Sequence, residues 1–345
     1  MSPTNRRFPW TTWSIDRLLQ LRVKDLGLTI EGTWLEPRID ALYETLERRG
    51  FRLSPHIWLS EEWFSPQGVP GFAIPFYLAH PRLIRLERSQ MLDVEGGTRD
   101  EFTRIIRHET GHAIQHGYQL QRRRAWQRLF GKSSKRYPEY YRPNPASKRY
   151  VQHLRLWYAQ SHPDEDFAET FAVWLRSSRG EWRKRYAGWP ALRKLEYVDE
   201  LMDEIADTPP LIATRKRMEP VSTITKTLAQ HYAERKAKYT EELPDIYDRD
   251  LRRIFSDSPA HRNQPRASTF LRRNRTEIRR MVAKWTGEYE FTLDVVLGQM
   301  LRRSRELRLR AVGGDRQLRM DFAVLLTVKT MHFLYTEARR DWIAL

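Results

Sequence analysis

The chain contains no cysteine. Disulfides, thiolate metal sites and cysteine nucleophiles are excluded together. It also lacks any long apolar run. A membrane-spanning helix needs about 20 mostly apolar residues, and the longest candidate, Ala323 to Val328, falls far short. The first residues, MSPTNRRFPWTTWSIDRLL, lack the apolar centre of a secretory signal. These absences predict a cytoplasmic chain with no membrane partner. Acidic residues are the minority charge, 44 against 61 Lys and Arg. Aromatic residues are not scarce: twelve Trp argue for a folded, globular chain. Any metal in such a protein must be held by His and carboxylate groups.

A length of 345 residues exceeds the usual single core, and the charge is unevenly spread. Residues 1–210 hold 33 Lys and Arg against 27 Asp and Glu, a net of +6. Residues 211–345 hold 28 against 17, a net of +11 in a shorter stretch. The shift falls at Thr208-Pro209-Pro210 and predicts two domains, 1–210 and 211–345. A basic domain can attract nucleic acid, anionic lipid or an acidic protein partner. The plainer reading is that Arg-rich helix faces simply meet solvent, and no zinc finger or RNA-binding signature accompanies them.

The densest chemistry lies in Arg107-His108-Glu109-Thr110-Gly111-His112-Ala113. This is an HExxH motif within a helical pattern. At 3.6 residues per turn, His108 and His112 share one helix face and can ligate one metal ion, with Glu109 beside them to take a proton from water. Zinc catalysis needs a third protein ligand and an open position. A longer HExxHxxGxxH pattern fails, because positions 115 and 118 are Gln and Tyr. His116, His153 and His162 are minor candidates. A second motif, Tyr158-Ala159-Gln160-Ser161-His162-Pro163-Asp164-Glu165-Asp166-Phe167-Ala168-Glu169, reads as a turn entering a helix. Pro163 suits the first helical position, Ser161 or His162 can cap, and the first turn is acidic. Glu165 and Glu169 share a face, so either can supply the third ligand. Phe167, Phe171, Trp174 and Leu175 make the opposite, buried side.

Around these motifs the spacing predicts helices over Trp13 to Leu26, Leu35 to Arg49, and from Thr98 or Arg99 through HETGH. Short strands are expected at Ile57–Leu59, Phe72–Leu78 and Leu83–Glu87, with an edge in the last two to which a peptide substrate could add. The Pro-rich stretch from Gln119 to Lys148 reads as largely loop, with helical periodicity resuming over Tyr150 to Tyr158. Gly111 is read as allowing close helix packing. In the C-terminal part, helices are expected at about 224–239, 268–285, 291–309 and 316–342, the last apolar nearly all round and therefore central to a bundle. Arg272, Arg273, Arg275, Arg279 and Arg280, with Arg302, Arg303 and Arg305, form a basic surface in this reading. The fold class is thus α+β: a mainly helical domain with a small sheet, followed by an all-α domain.

The pair RHETGHA and YAQSHPDEDFAETFAVWL resembles the zinc-binding metallopeptidase family of gluzincin type. More distantly it is similar to the catalytic domain of anthrax lethal factor and to the Mlc titration factor peptidases. The resemblance covers about residues 10–210 and implies a zincin-like peptidase domain acting on a peptide or protein substrate with Zn2+. It implies that Glu165 joins His108 and His112 as a metal ligand, and that Glu169 orients a ligand histidine from behind. It further implies that Glu109 is the catalytic base and that Tyr158 lies near the metal, where its hydroxyl can stabilise a developing oxyanion. The alternative is a non-enzymatic binding protein on a peptidase-like fold.

Overall fold

The computed structural model describes residues 8–138, 140–141, 143–155, 157–239, 247–335 and 343–344. It divides into two compact units, one of residues 1–89, 94–231 and 343–345, the other of residues 90–93 and 232–342. The architecture is mainly helical with a small parallel sheet. No described helix is long and apolar enough to cross a membrane.

The first unit is organised by two helices that pack against each other, Arg99–Tyr118 and Pro163–Arg176. We call them the HETGH helix and the acidic helix. The HETGH helix starts because the Thr98 side chain accepts from the Glu101 backbone N–H, meeting one of the orphan donors of a first turn. It stops where Gln119 turns left-handed at φ 52°. From His108 to Tyr118 every residue is buried, which marks a central helix rather than a surface one. His162 caps the acidic helix, its Nδ1 accepting from the Asp164 backbone N–H at 3.2 Å, and Pro163 occupies the first position. Phe167, Phe171, Trp174 and Leu175 are buried as their spacing requires.

The two helices meet where both are small. A Cβ on Gly111 would lie 2.8 Å from the Ala168 Cα, closer than carbon atoms approach. Gly111 therefore sets the closeness of the pair, and no larger side chain fits without moving backbone. A third helix, Ala191–Ile205, braces the acidic helix: Asp199 accepts from Trp174 Nε1 at 2.8 Å, and the Lys194 ammonium meets the buried Asp166 carboxylate at 2.5 Å.

The sheet pairs β1 (His56–Ser60) with β2 (Gly71–Pro75) in parallel, Trp58 opposite Ala73. Several expectations are corrected here. After Pro75 the chain enters a 3₁₀ turn, Phe76–Ala79, instead of continuing as strand. Leu83–Glu87 lies in a helix, Pro81–Met91, because Pro81 opens a helix well and Leu83 and Leu86 bury at a spacing of three. The expected free edge is also absent at Ala73, whose N–H donates to Phe64 O on the side away from β1. Nor do the described residues of 150–158 form the expected α-helix. Residues 151–153 are irregular, and Tyr158 sits in a 3₁₀ turn, Tyr158–Gln160, entered through Trp157 at φ 54°. Near the N-terminus, the span Trp13 to Leu26 breaks into a helix at Ile15–Leu19 and a 3₁₀ turn at Val23–Leu26, with Gly27 at φ 65° closing it.

Beyond Pro210 the chain stays with the first unit as far as His231. Ile212 N–H donates to Gly117 O, while His56, Trp58 and Ser60 side chains bond the carbonyls of Lys216, Met218 and Glu219. The second unit contains helices Asp248–Ile254, Ala267–Thr286, Glu290–Glu306 and Asp315–Tyr335 around a core that includes Leu251, Phe255, Phe270, Leu297 and Phe322. Asp315–Tyr335 is not buried all round: Leu318, Phe322 and Leu326 face the core, but Met320, Val324 and Val328 are exposed. Residues 336–342 of the expected last helix lie outside the described residues, as do the side chains of Phe333 and Leu334. Of the basic surface, Arg273, Arg275, Arg279 and Arg303 pair with Asp315, Asp294, Glu290 and Asp248 respectively. Arg272, Arg280, Arg302 and Arg305 are exposed.

Candidate metal centre

His108 and His112 project from one face of the HETGH helix toward Glu165, in the first turn of the acidic helix. Three donor atoms converge. His108 Nε2 lies 2.9 Å from Glu165 Oε2, His112 Nε2 lies 3.2 Å from the same oxygen, and the two nitrogens are 3.2 Å apart. All three residues are buried. A tetrahedral zinc ion with bonds of about 2.0–2.1 Å has donors about 3.3 Å apart, so this triangle matches the edge lengths of such a site within a few tenths of an ångström. The donor set fits the metal in chemistry as well: two imidazoles and one carboxylate leave a fourth position free, as catalytic zinc requires.

The support behind the triangle is equally defined. His108 Nδ1–H donates to Glu169 Oε1 at 2.9 Å, which fixes the ring and leaves Nε2 facing the centre. The other oxygen of Glu169 accepts the backbone N–H groups of His153 and Leu154, at 3.2 and 2.9 Å. Of the two carboxylates the sequence left open, Glu165 reaches both imidazole Nε2 atoms, and Glu169 stands behind one of them. Burial disfavours a charged His108, yet its bonds to Glu165 and Glu169 outweigh that and hold its pKa well above the ordinary value. Burial likewise works against an ionised Glu165, and the two histidines overcome it and hold its carboxyl well below the usual range.

Glu109 lies beside this cluster and is also buried; its Oε2 has no hydrogen-bond partner among the described residues. Leaving a carboxylate oxygen buried and unpaired costs about 1–3 kcal/mol or more. Burial raises its pKa, an effect the neighbouring His108 and His112 only partly offset. The Tyr158 ring centre is 5.6 Å from that of His108. Burial, then the charges of Glu165 and Glu109, push its hydroxyl well above the ordinary phenol value, so it stays a proton donor.

The remaining histidines do other work. His162 is the helix cap, its Nε2–H donating to Lys135 O at 3.0 Å. His153 bonds Arg104 O, and buried His116 has its pKa lowered to about 4, chiefly by desolvation and then by His112. Gln115, noted in the sequence only for not being glycine, donates to Asp164 Oδ1 at 2.8 Å and ties the two helices together. One neighbour of the centre was not singled out from sequence at all: Tyr137, whose hydroxyl donates to Glu165 Oε1 at 2.9 Å. No period connects a loop tyrosine to a helix 28 residues further on.

Two histidines one helical turn apart, a carboxylate closing the triangle and a second carboxylate behind one ring form a group that could hold a single metal ion. Residues 102–180, which contain every one of these groups, match the model of a family described as "Putative zinc-binding metallo-peptidase". It is the family the two motifs resemble. No curated protein and no solved structure matches the chain.

Proposed function

We propose that the protein is a zinc-dependent peptidase, with His108, His112 and Glu165 holding the metal. The observation that carries this reading is Glu109: a buried carboxylate oxygen without a partner, beside three converging donors. A purely structural metal site has no use for a further carboxylate left unpaired beside its three donors. When bound, zinc supplies Lewis acidity that lowers the pKa of a coordinated water toward neutrality and polarises a substrate carbonyl. Glu109 accepts the proton of the attacking water on its unpaired oxygen and returns it to the leaving amine. Its raised pKa favours the first transfer, since a carboxylate of higher pKa takes a proton more readily. Tyr158, protonated at all working pH values, donates to the carbonyl oxygen as charge builds there. Glu169 keeps His108 in the tautomer that presents Nε2.

The test is direct. Glu109→Gln removes the base and leaves the three donors in place. We expect about one zinc per chain in both proteins, and cleavage of a peptide library reduced by about 10²–10⁴-fold in the variant. Cleavage unaffected by the substitution, or a wild type that binds no zinc, refutes the assignment.

A further inference from the structure

We infer that Tyr137 is a positioning residue that restricts Glu165 to ligating the metal through one oxygen, keeping a coordination position open for water. The inference rests on the metal-centre reading above and extends it to a residue outside both motifs. The two oxygens of Glu165 have separate partners: Oε2 faces both imidazoles, and Oε1 accepts the Tyr137 hydroxyl at 2.9 Å. A carboxylate free to turn can present both oxygens to a cation. That would fill the position a catalytic site must leave for water. The phenol on Oε1 opposes the turn, because rotating Glu165 would break a hydrogen bond to an ionised carboxylate, one of the stronger kinds.

The phenol is itself held in place. Its ring stacks on His162 with centres 3.8 Å apart and planes 16° from parallel. The His162 ring is fixed at both nitrogens, Nε2–H donating to Lys135 O and Nδ1 accepting from the Asp164 N–H. Two residues before Lys135, Ser133 Oγ donates to Asp164 Oδ2 at 2.9 Å. Asp164 is in turn anchored to the HETGH helix through Gln115. The loop is thus bound twice to the start of the acidic helix, and Tyr137 is aimed from those bonds at the adjacent residue, Glu165. Tyr137 is 45% exposed, so its hydroxyl contributes to the site more than its burial contributes to the core.

Tyr137→Phe isolates the hydroxyl and retains the stacked ring, so the variant is expected to fold and melt like the wild type. Each protein is loaded with cobalt(II), whose visible absorption is intense when four-coordinate and weak when a further ligand joins. We expect stoichiometric cobalt in both, weaker visible bands in Tyr137→Phe, and a kcat about tenfold lower on the zinc form with KM little changed. Tyr158→Phe is expected to keep the wild-type spectrum. Superimposable cobalt spectra for wild type and Tyr137→Phe overturn the inference while leaving the metal centre standing. A wild type that takes up no cobalt, or bands that survive His112→Ala, overturn the metal centre and this inference with it.

Discussion

At the residue scale, protons and a metal would compete for the same atoms of the candidate centre. His108 holds its proton to well above the ordinary imidazole pKa because Glu165 and Glu169 stabilise the charged ring against burial. A metal must displace that proton. Zinc affinity is therefore expected to fall as pH drops below the raised pKa, and proton release should appear as a buffer-dependent heat in titration calorimetry. Glu169→Gln keeps the shape of the side chain but removes its charge. We expect zinc affinity to weaken by about 10–100-fold, measured by competition with a chelator, with no change in stoichiometry. The residues behind these predictions were legible because helix geometry converts a spacing of four into a shared face, at His108 and His112 and again at Glu165 and Glu169. Geometry alone could not choose between the two glutamates, since both lie on that face. Tyr137 was illegible for a different reason: its contact depends on how a loop folds back, and loops carry no period.

At the scale of elements, the centre depends on a contact with no polar side chain in it. Gly111 and Ala168 set the spacing of the two helices that carry the donors. Gly111→Ala would place a methyl 2.8 Å from the Ala168 Cα and 3.2 Å from its carbonyl oxygen, so the helices must part. We expect a loss of about 1–3 kcal/mol, as for other overpacked cores, read from denaturant melts. Zinc affinity should fall with it, although no ligand has been altered. Element reading from sequence succeeded where capping and period agreed, as in the Arg99–Tyr118 and Pro163–Arg176 helices. It failed at Leu83–Glu87, where a short apolar run fits either a strand or one side of a helix and only packing decides.

For the whole molecule, two compact units and a separate core in the second predict that unfolding is not a single transition. Calorimetry is expected to show two. Excess zinc should raise the transition of the first unit alone, by about 2.7 kcal/mol at a concentration 100 times the Kd, and a chelator should reverse the shift. A single transition that zinc does not move would contradict both the division and the location of the centre. Composition foretold a basic C-terminal part but not how much of its charge is spent internally. Arg275 and Arg279 share Asp294, and Arg303 bridges Asp248 and Glu306. A count of charges sees none of these pairings, which is why net charge says so little here about partners. Glu169, meanwhile, joins two parts of the first unit. One of its oxygens accepts from His108 Nδ1–H, while the other pins the amides of His153 and Leu154 just upstream of the Tyr158 turn. Those two amides consequently act as a remote gauge of the centre: their hydrogen exchange should slow as metal loads and quicken as it leaves, at positions that never touch the ion.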